Sequence, residues 1–178
     1  MLIGKVLINI SKQLNKLLEI LCILIFIVMT LVIWGQVFYR YVLNYGIPWA
    51  EEIARFLLIW LGFFGSAIVF YEQGHVSIDF IIEKFSPNRQ RWIKILNLFL
   101  ALYFFFFLFK YGFDYAYFGI RLISPATGIS RFWSHLAVPV GCVFLILHNV
   151  TLIYNKAILK INKEKIDNLN NLDSFKKL

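Results

Sequence analysis

Four long apolar stretches fill most of this 178-residue chain, at about residues 20–39, 53–71, 92–113 and 132–154. A hydrocarbon core about 30 Å thick is crossed by roughly 20 residues of helix. Inside lipid a spanning segment must satisfy its own backbone hydrogen bonds, which a helix does and a lone strand does not. The expected fold is therefore all-α: an integral membrane protein with four transmembrane helices. The first stretch, Ile20 to Phe38, holds no charged residue. The third contains the run Tyr103 to Phe109, too apolar on every side for the surface of a soluble protein.

Composition agrees, with 60% hydrophobic residues, 16% charged residues and 19 Phe. The first stretch is too long for the apolar region of a cleaved signal peptide. It runs into Gln36-Val37-Phe38-Tyr39-Arg40 rather than a small-residue cleavage site. Cys22 and Cys142 fall inside spans at different depths, so they read as free, buried thiols rather than a disulfide.

The net charge of +8 has a membrane explanation. Cationic residues favour cytoplasmic segments. Lys5, Lys12 and Lys16 precede the first span. Lys84, Arg89, Arg91 and Lys94 lie between or at the edge of the second and third. Lys156, Lys160, Lys163, Lys165, Lys176 and Lys177 follow the fourth. The other five of the 18 cations, Arg40, Arg55, Lys110, Arg121 and Arg131, fall toward the opposite side. Both termini are thus expected in the cytoplasm. No nucleic-acid partner is expected, because the basic tail lacks interleaved aromatics and mixes its Lys with Glu164, Asp167 and Asp173.

The four spans form one expected domain, residues 1–160, followed by a polar cytoplasmic tail over 161–178. Short amphipathic interfacial helices should flank the spans. One is Ile3 to Leu17, where Ile3, Val6, Leu7, Ile10, Leu14 and Leu17 recur at helical spacing. Another is the loop segment around Ile78, Ile81, Ile82 and Phe85. Asn44, Gly46 and Pro48 mark a turn, and Pro48 suits the first turn of the second span. Pro139 and Gly141 sit inside the fourth, where a bundle tolerates a kink. Gly62, Gly65 and Ser66 give the second span a small-residue face for close helix contact, within this chain or with another. No internal repeat suggests inverted-topology halves.

The densest polar constellation is Arg40, Trp49, Glu51, Glu52 and Arg55, near the outer boundary. Arg55 is three and four residues from the two acids, so either pair meets on one helix face. Three readings stand: an ion-pair network locking the first two helices, a docking surface for a protein partner, or acid–base chemistry. The last needs a pocket and a further group that the sequence does not supply. His75 and Asp79, four apart in the inner loop, are two ligand types without a third, so no metal and no cofactor is expected. Ser134, His135 and Asp114 lack a nucleophile elbow. Lys110 and Asp114 read as a snorkelling cation and its partner. His148 reads as an interfacial or packing residue.

One family pattern joins several of these pieces. Arg40-Tyr41-Val42-Leu43-Asn44, then Trp49-Ala50-Glu51-Glu52-Ile53-Ala54-Arg55-Phe56-Leu57, then Trp60, Gly65 and Gly74-His75-Val76-Ser77-Ile78-Asp79, resemble the small membrane subunit of tripartite ATP-independent periplasmic (TRAP) transporters, the DctQ-type family. Pro125-Ala126-Thr127-Gly128-Ile129 and Leu136-Ala137-Val138-Pro139-Val140-Gly141 are similar to that family's last loop and fourth helix. The resemblance covers about Leu17 to Leu152 and departs at Ser130, where the family often has Pro.

The resemblance implies a non-enzymatic accessory subunit in the bacterial inner membrane. Its partners would be membrane lipid, a periplasmic substrate-binding protein and a large membrane subunit on a separate polypeptide. That large subunit would carry an organic acid, commonly a C4-dicarboxylate or sialic acid, with sodium coupling located there. The small subunit would be a fixed brace. A small membrane-embedded enzyme and a self-assembling channel are the alternatives, and they require a polar pocket or a polar helix stripe respectively.

Overall fold

The structure is a computed structural model describing residues 2–72 and 86–154. Its long helices are α1 (Leu2–Val42), α2 (Pro48–Tyr71), α3 (Pro87–Phe118) and α5 (Ala137–Tyr154). The one-turn helix α4 (Phe132–His135) stands in front of α5. Four segments are long and apolar enough to cross a membrane: Val6–Val42, Pro48–Tyr71, Trp92–Arg121 and Phe132–Tyr154. The fold is all-α, as expected from the four apolar runs. The expected helix around residues 78–85 and the tail over 161–178 lie outside the described residues, as do His75 and Asp79.

α1 is longer than expected. Its 41 residues form one helix of about 60 Å, so residues 3–17 are not a separate interfacial helix. Two reasons are visible. The sequence from Lys5 to Trp34 contains neither Gly nor Pro to break it. Its Ser11, Asn15 and Leu18 form a buried stripe at helical spacing, so this half packs on the bundle instead of lying along a surface. The helix stops where Asn44 adopts a left-handed conformation with φ 51°, and Tyr45 N–H donates back to Tyr39 O at 3.1 Å.

α5 is the axis. α2 and α3 pack on it, and α1 packs mainly on α2. Leu18, Phe64, Ala67, Phe70, Leu98, Leu145 and Leu152 form the shared core. Two glycines set the closest approaches. A Cβ at Gly141 would lie 2.6 Å from Phe63 Cβ, and one at Gly112 would lie 2.7 Å from a Val138 methyl. The first joins α5 to α2, the second α3 to α5. Gly62 and Gly65 behave otherwise: nothing lies within 4 Å of a Cβ at either, and the Ser66 hydroxyl turns back to Gly62 O at 2.7 Å. The close contact expected of that face is therefore not made at either glycine among the described residues. The irregularity expected in the fourth span falls at Leu136, between α4 and α5. Pro139, three residues on, has no N–H to donate to the His135 carbonyl.

Candidate functional site

Trp49, Glu51, Glu52 and Arg55 sit on the first turns of α2, beneath a cap built from residues 119–135, while Arg40 lies in the last turn of α1. The cap starts with a 3-10 turn, Gly119–Arg121, and doubles back in a tight hairpin. Arg131 N–H donates to Leu122 O at 2.8 Å, Ser124 N–H to Ile129 O at 2.9 Å, and Gly128 N–H to Ser124 O at 2.9 Å. Ile123 and Ser130 pair as an antiparallel bridge. Gly128 closes the turn with φ 70°, which a residue with a Cβ adopts at a cost.

Glu52 holds this hairpin to α2. One carboxylate oxygen accepts from Thr127 N–H and Thr127 Oγ1, both at 2.9 Å, and the other from Ala126 N–H at 3.3 Å. The buried Ser124 adds a side-chain hydrogen bond. Two turns along α2, Trp60 Nε1–H donates to Trp133 O at 3.1 Å. A carboxylate already accepting several donors is a clamp and a poor base, because each bond stabilises the ionised form it would have to leave.

The expected network thus divides. Among the described residues Arg55 pairs with Glu51 alone, at 2.8 Å, with side chains 65% and 63% exposed. Glu52 turns away from Arg55 to the hairpin. Arg40 is exposed and makes no ion pair among the described residues. Trp49 is half exposed on the same rim of α2. Lys110 leans over the Tyr111 ring, 5.9 Å from its centroid, and forms no ion pair with Asp114. The Ser134 hydroxyl donates to Arg131 O at 2.9 Å, and the His135 ring stacks on Tyr115 with centroids 4.2 Å apart. Both are structural contacts and assemble no nucleophile.

The cap is an ordered surface carried by α2. The family described as tripartite ATP-independent periplasmic transporters, DctQ component, matches residues 29–158. The chain belongs to this family. A Haemophilus influenzae protein provisionally named a TRAP transporter small permease protein is 38% identical over 94 residues, covering 53% of this chain and 58% of that one. The sialic acid TRAP transporter small permease protein SiaQ of Vibrio cholerae is 29% identical over 145 residues, covering 81% of this chain and 83% of SiaQ. The sialic acid TRAP transporter permease protein SiaT of Haemophilus influenzae is 31% identical over 141 residues. That is 75% of this chain but only 22% of SiaT, which is therefore a much longer protein.

Within this TRAP subunit the DctQ-like Trp-x-Glu-Glu-x-x-Arg segment and the Pro-Ala-Thr-Gly segment, remote in sequence, meet at Glu52 and Thr127. The departure at Ser130 is accommodated: its hydroxyl donates to Gly119 O at 3.0 Å and accepts from Phe132 N–H at 3.2 Å. Sequence reasoning missed a second polar centre at the far end of the bundle, its foot. There Ser11 Oγ and His148 Nδ1 lie 2.7 Å apart, and Asn149 Nδ2 donates to Leu98 O at 3.1 Å. The available signal was a pair of polar residues, Ser11 and Asn15, interrupting the apolar stripe of α1.

Proposed function

We propose that this TRAP small permease braces a large permease subunit in the bacterial inner membrane, with both termini cytoplasmic. The pair serves binding-protein-dependent import of an organic acid of the C4-dicarboxylate or sialic acid class. Sodium coupling and substrate passage belong to the large subunit. The small subunit is a transport component and not an enzyme.

The observation that carries this reading is the Glu52 clamp. A charged side chain of the family-like motif serves to fix the hairpin surface to a long apolar helix, which is the work of a scaffold. SiaT supports the partner: it contains a stretch similar to this chain within a protein several times as long. The names of SiaQ and SiaT favour sialic acid within the substrate class.

Proteoliposomes test the reading. Uptake of a labelled organic acid should need both membrane subunits, the soluble binding protein and a sodium gradient. Uptake by this chain without the large subunit, or failure of the two to co-purify, overturns it. Topology is read separately with cysteine-free protein carrying Lys12→Cys or Ala126→Cys. An impermeant thiol reagent applied from the periplasmic side should label position 126 and spare position 12.

A further inference from the structure

One charge stands on a side of the bundle where hydrocarbon offers it nothing. Lys110 is exposed on α3, and the run Ile95 to Phe109 that precedes it holds no charge. Gly112 fixes its direction and its depth. A Cβ at Gly112 would lie 2.7 Å from a Val138 methyl, on the α5 side and inside the span Phe132–Tyr154. Lys110 is two residues back, roughly 200° round the helix and about 3 Å further from the cap. It therefore faces away from α5, out of the bundle. Ionisable residues within a span turn almost always to a bundle interior or an aqueous cavity, and they pair there.

The chain itself does not serve this cation. Asp114, one turn nearer the cap and also exposed, makes no ion pair with it. The ammonium leans over the Tyr111 ring instead, 5.9 Å from the centroid. Direction accounts for this. Cα–Cβ bonds tilt toward a helix N-terminus, which for α3 lies at the foot, so the Lys110 stem sets off away from the nearer headgroups. Tyr103, two turns back on the same side, is 70% exposed. Ring contacts of 6.4 and 4.3 Å join it through Phe107 to Tyr111. Its hydroxyl has no hydrogen-bond partner among the described residues, and a hydroxyl bare in hydrocarbon is costly. To reach this side, the chain beyond Glu72 or Tyr154 would have to re-enter the hydrocarbon from the foot, where lipid-exposed irregular backbone is not tolerated.

We propose that the face of α3 from Tyr103 to Asp114 seats a membrane-spanning helix of the large permease subunit, and that a carboxylate on that helix pairs with Lys110. This rests on the brace reading above and adds the surface through which the brace acts. Charge complementarity selects the occupant. Acyl chains carry no anion at this depth, and a lipid phosphate lies against the direction of the Lys110 stem. A second copy related by a two-fold axis along the membrane normal would bring its own Lys110 to the same depth, cation against cation.

Photo-cross-linking in membranes tests this. The full chain carries p-benzoylphenylalanine in place of Phe107, which is half exposed one turn before Lys110, and is co-expressed with the large subunit. Light should give a product of the summed mass of the two subunits. Its absence overturns the proposal, whether light yields a product of twice this chain's mass, a lipid adduct or an internal link. The yield of the co-purified pair is the second measurement. Lys110→Glu should lower it about tenfold, and Lys110→Arg should keep most of it. Wild-type yield in Lys110→Glu overturns the proposal and leaves the brace reading intact. Failure of the unsubstituted pair to co-purify removes the brace reading and this surface with it. Should Lys110→Glu fail to insert, the cross-link at position 107 still decides.

Discussion

The cap and the foot fasten the same helices by opposite chemistry. At the cap an ionised carboxylate, Glu52, gathers donors from residues 124–127. At the foot the ties are neutral: a hydroxyl on an imidazole, and an amide on a backbone carbonyl. The difference follows from surroundings. Glu52 stands at the helix rim, partly exposed, where its charge keeps much of its hydration. His148 and Asn149 are fully enclosed, and an isolated charge there would cost far more than a neutral group that finds a partner. The neighbouring residues His148 and Asn149 turn to opposite sides of α5, one to α1 and α2, the other to α3. Two adjacent positions therefore gather all four long helices.

Breaking the foot should have the largest effect on stability. His148→Leu leaves the Ser11 hydroxyl bare inside the bundle, and stranding a buried polar partner costs about 1–3 kcal/mol. Asn149→Leu should cost less, about 1 kcal/mol, because Leu98 O lies within α3 and keeps a helical position. Unfolding in mild detergent by increasing sodium dodecyl sulfate, followed by circular dichroism, ranks them. Wild-type midpoints for both variants would show that apolar packing alone holds the foot.

Breaking the cap should be local. Glu52→Ala strips the carboxylate from Ala126 and Thr127 while leaving the hairpin's own backbone bonds. Amide exchange at those two residues should accelerate on the order of tenfold, with the unfolding midpoint nearly unchanged. Glu52→Gln keeps one acceptor oxygen and should fall between. A midpoint drop matching His148→Leu would make the cap part of the cooperative core and erase the contrast.

The contrast was only half legible in the sequence. Span number and extent follow from apolar runs, because bilayer thickness fixes helix length. The Arg40-to-Arg55 cluster was visible, but spacing in one helix favours the i, i+4 partner, and nothing local says that Glu52 reaches 75 residues along the chain to Thr127. His148 looked like a residue of the membrane boundary, since its partner Ser11 lies 137 residues away. Gly112 and Gly141 support close helix approach and Gly62 does not. That distinction depends on which face of a helix meets a neighbour, and four all-round apolar helices carry little periodicity to say so.

The smallest effect is expected at Arg55, the residue that sequence spacing alone made central. Read as the partner of two acids, its loss would strand buried charge. With Glu52 engaged by the hairpin, Arg55 faces only Glu51 among the described residues, and both side chains are about two-thirds exposed. An exposed i, i+4 pair contributes about 0–1 kcal/mol and is screened by salt. Arg55→Ala should therefore move the unfolding midpoint slightly at low salt and not at all in 0.5 M sodium chloride. Arg55→Lys should differ little from wild type. Complex yield on size-exclusion chromatography, measured beside stability, gives the decisive reading. A normal midpoint with lost assembly would make the Arg55 surface a contact for another subunit. A lowered midpoint that persists in high salt would instead place Arg55 in the same fastening as Glu52, and the cap would then rest on a charged network after all.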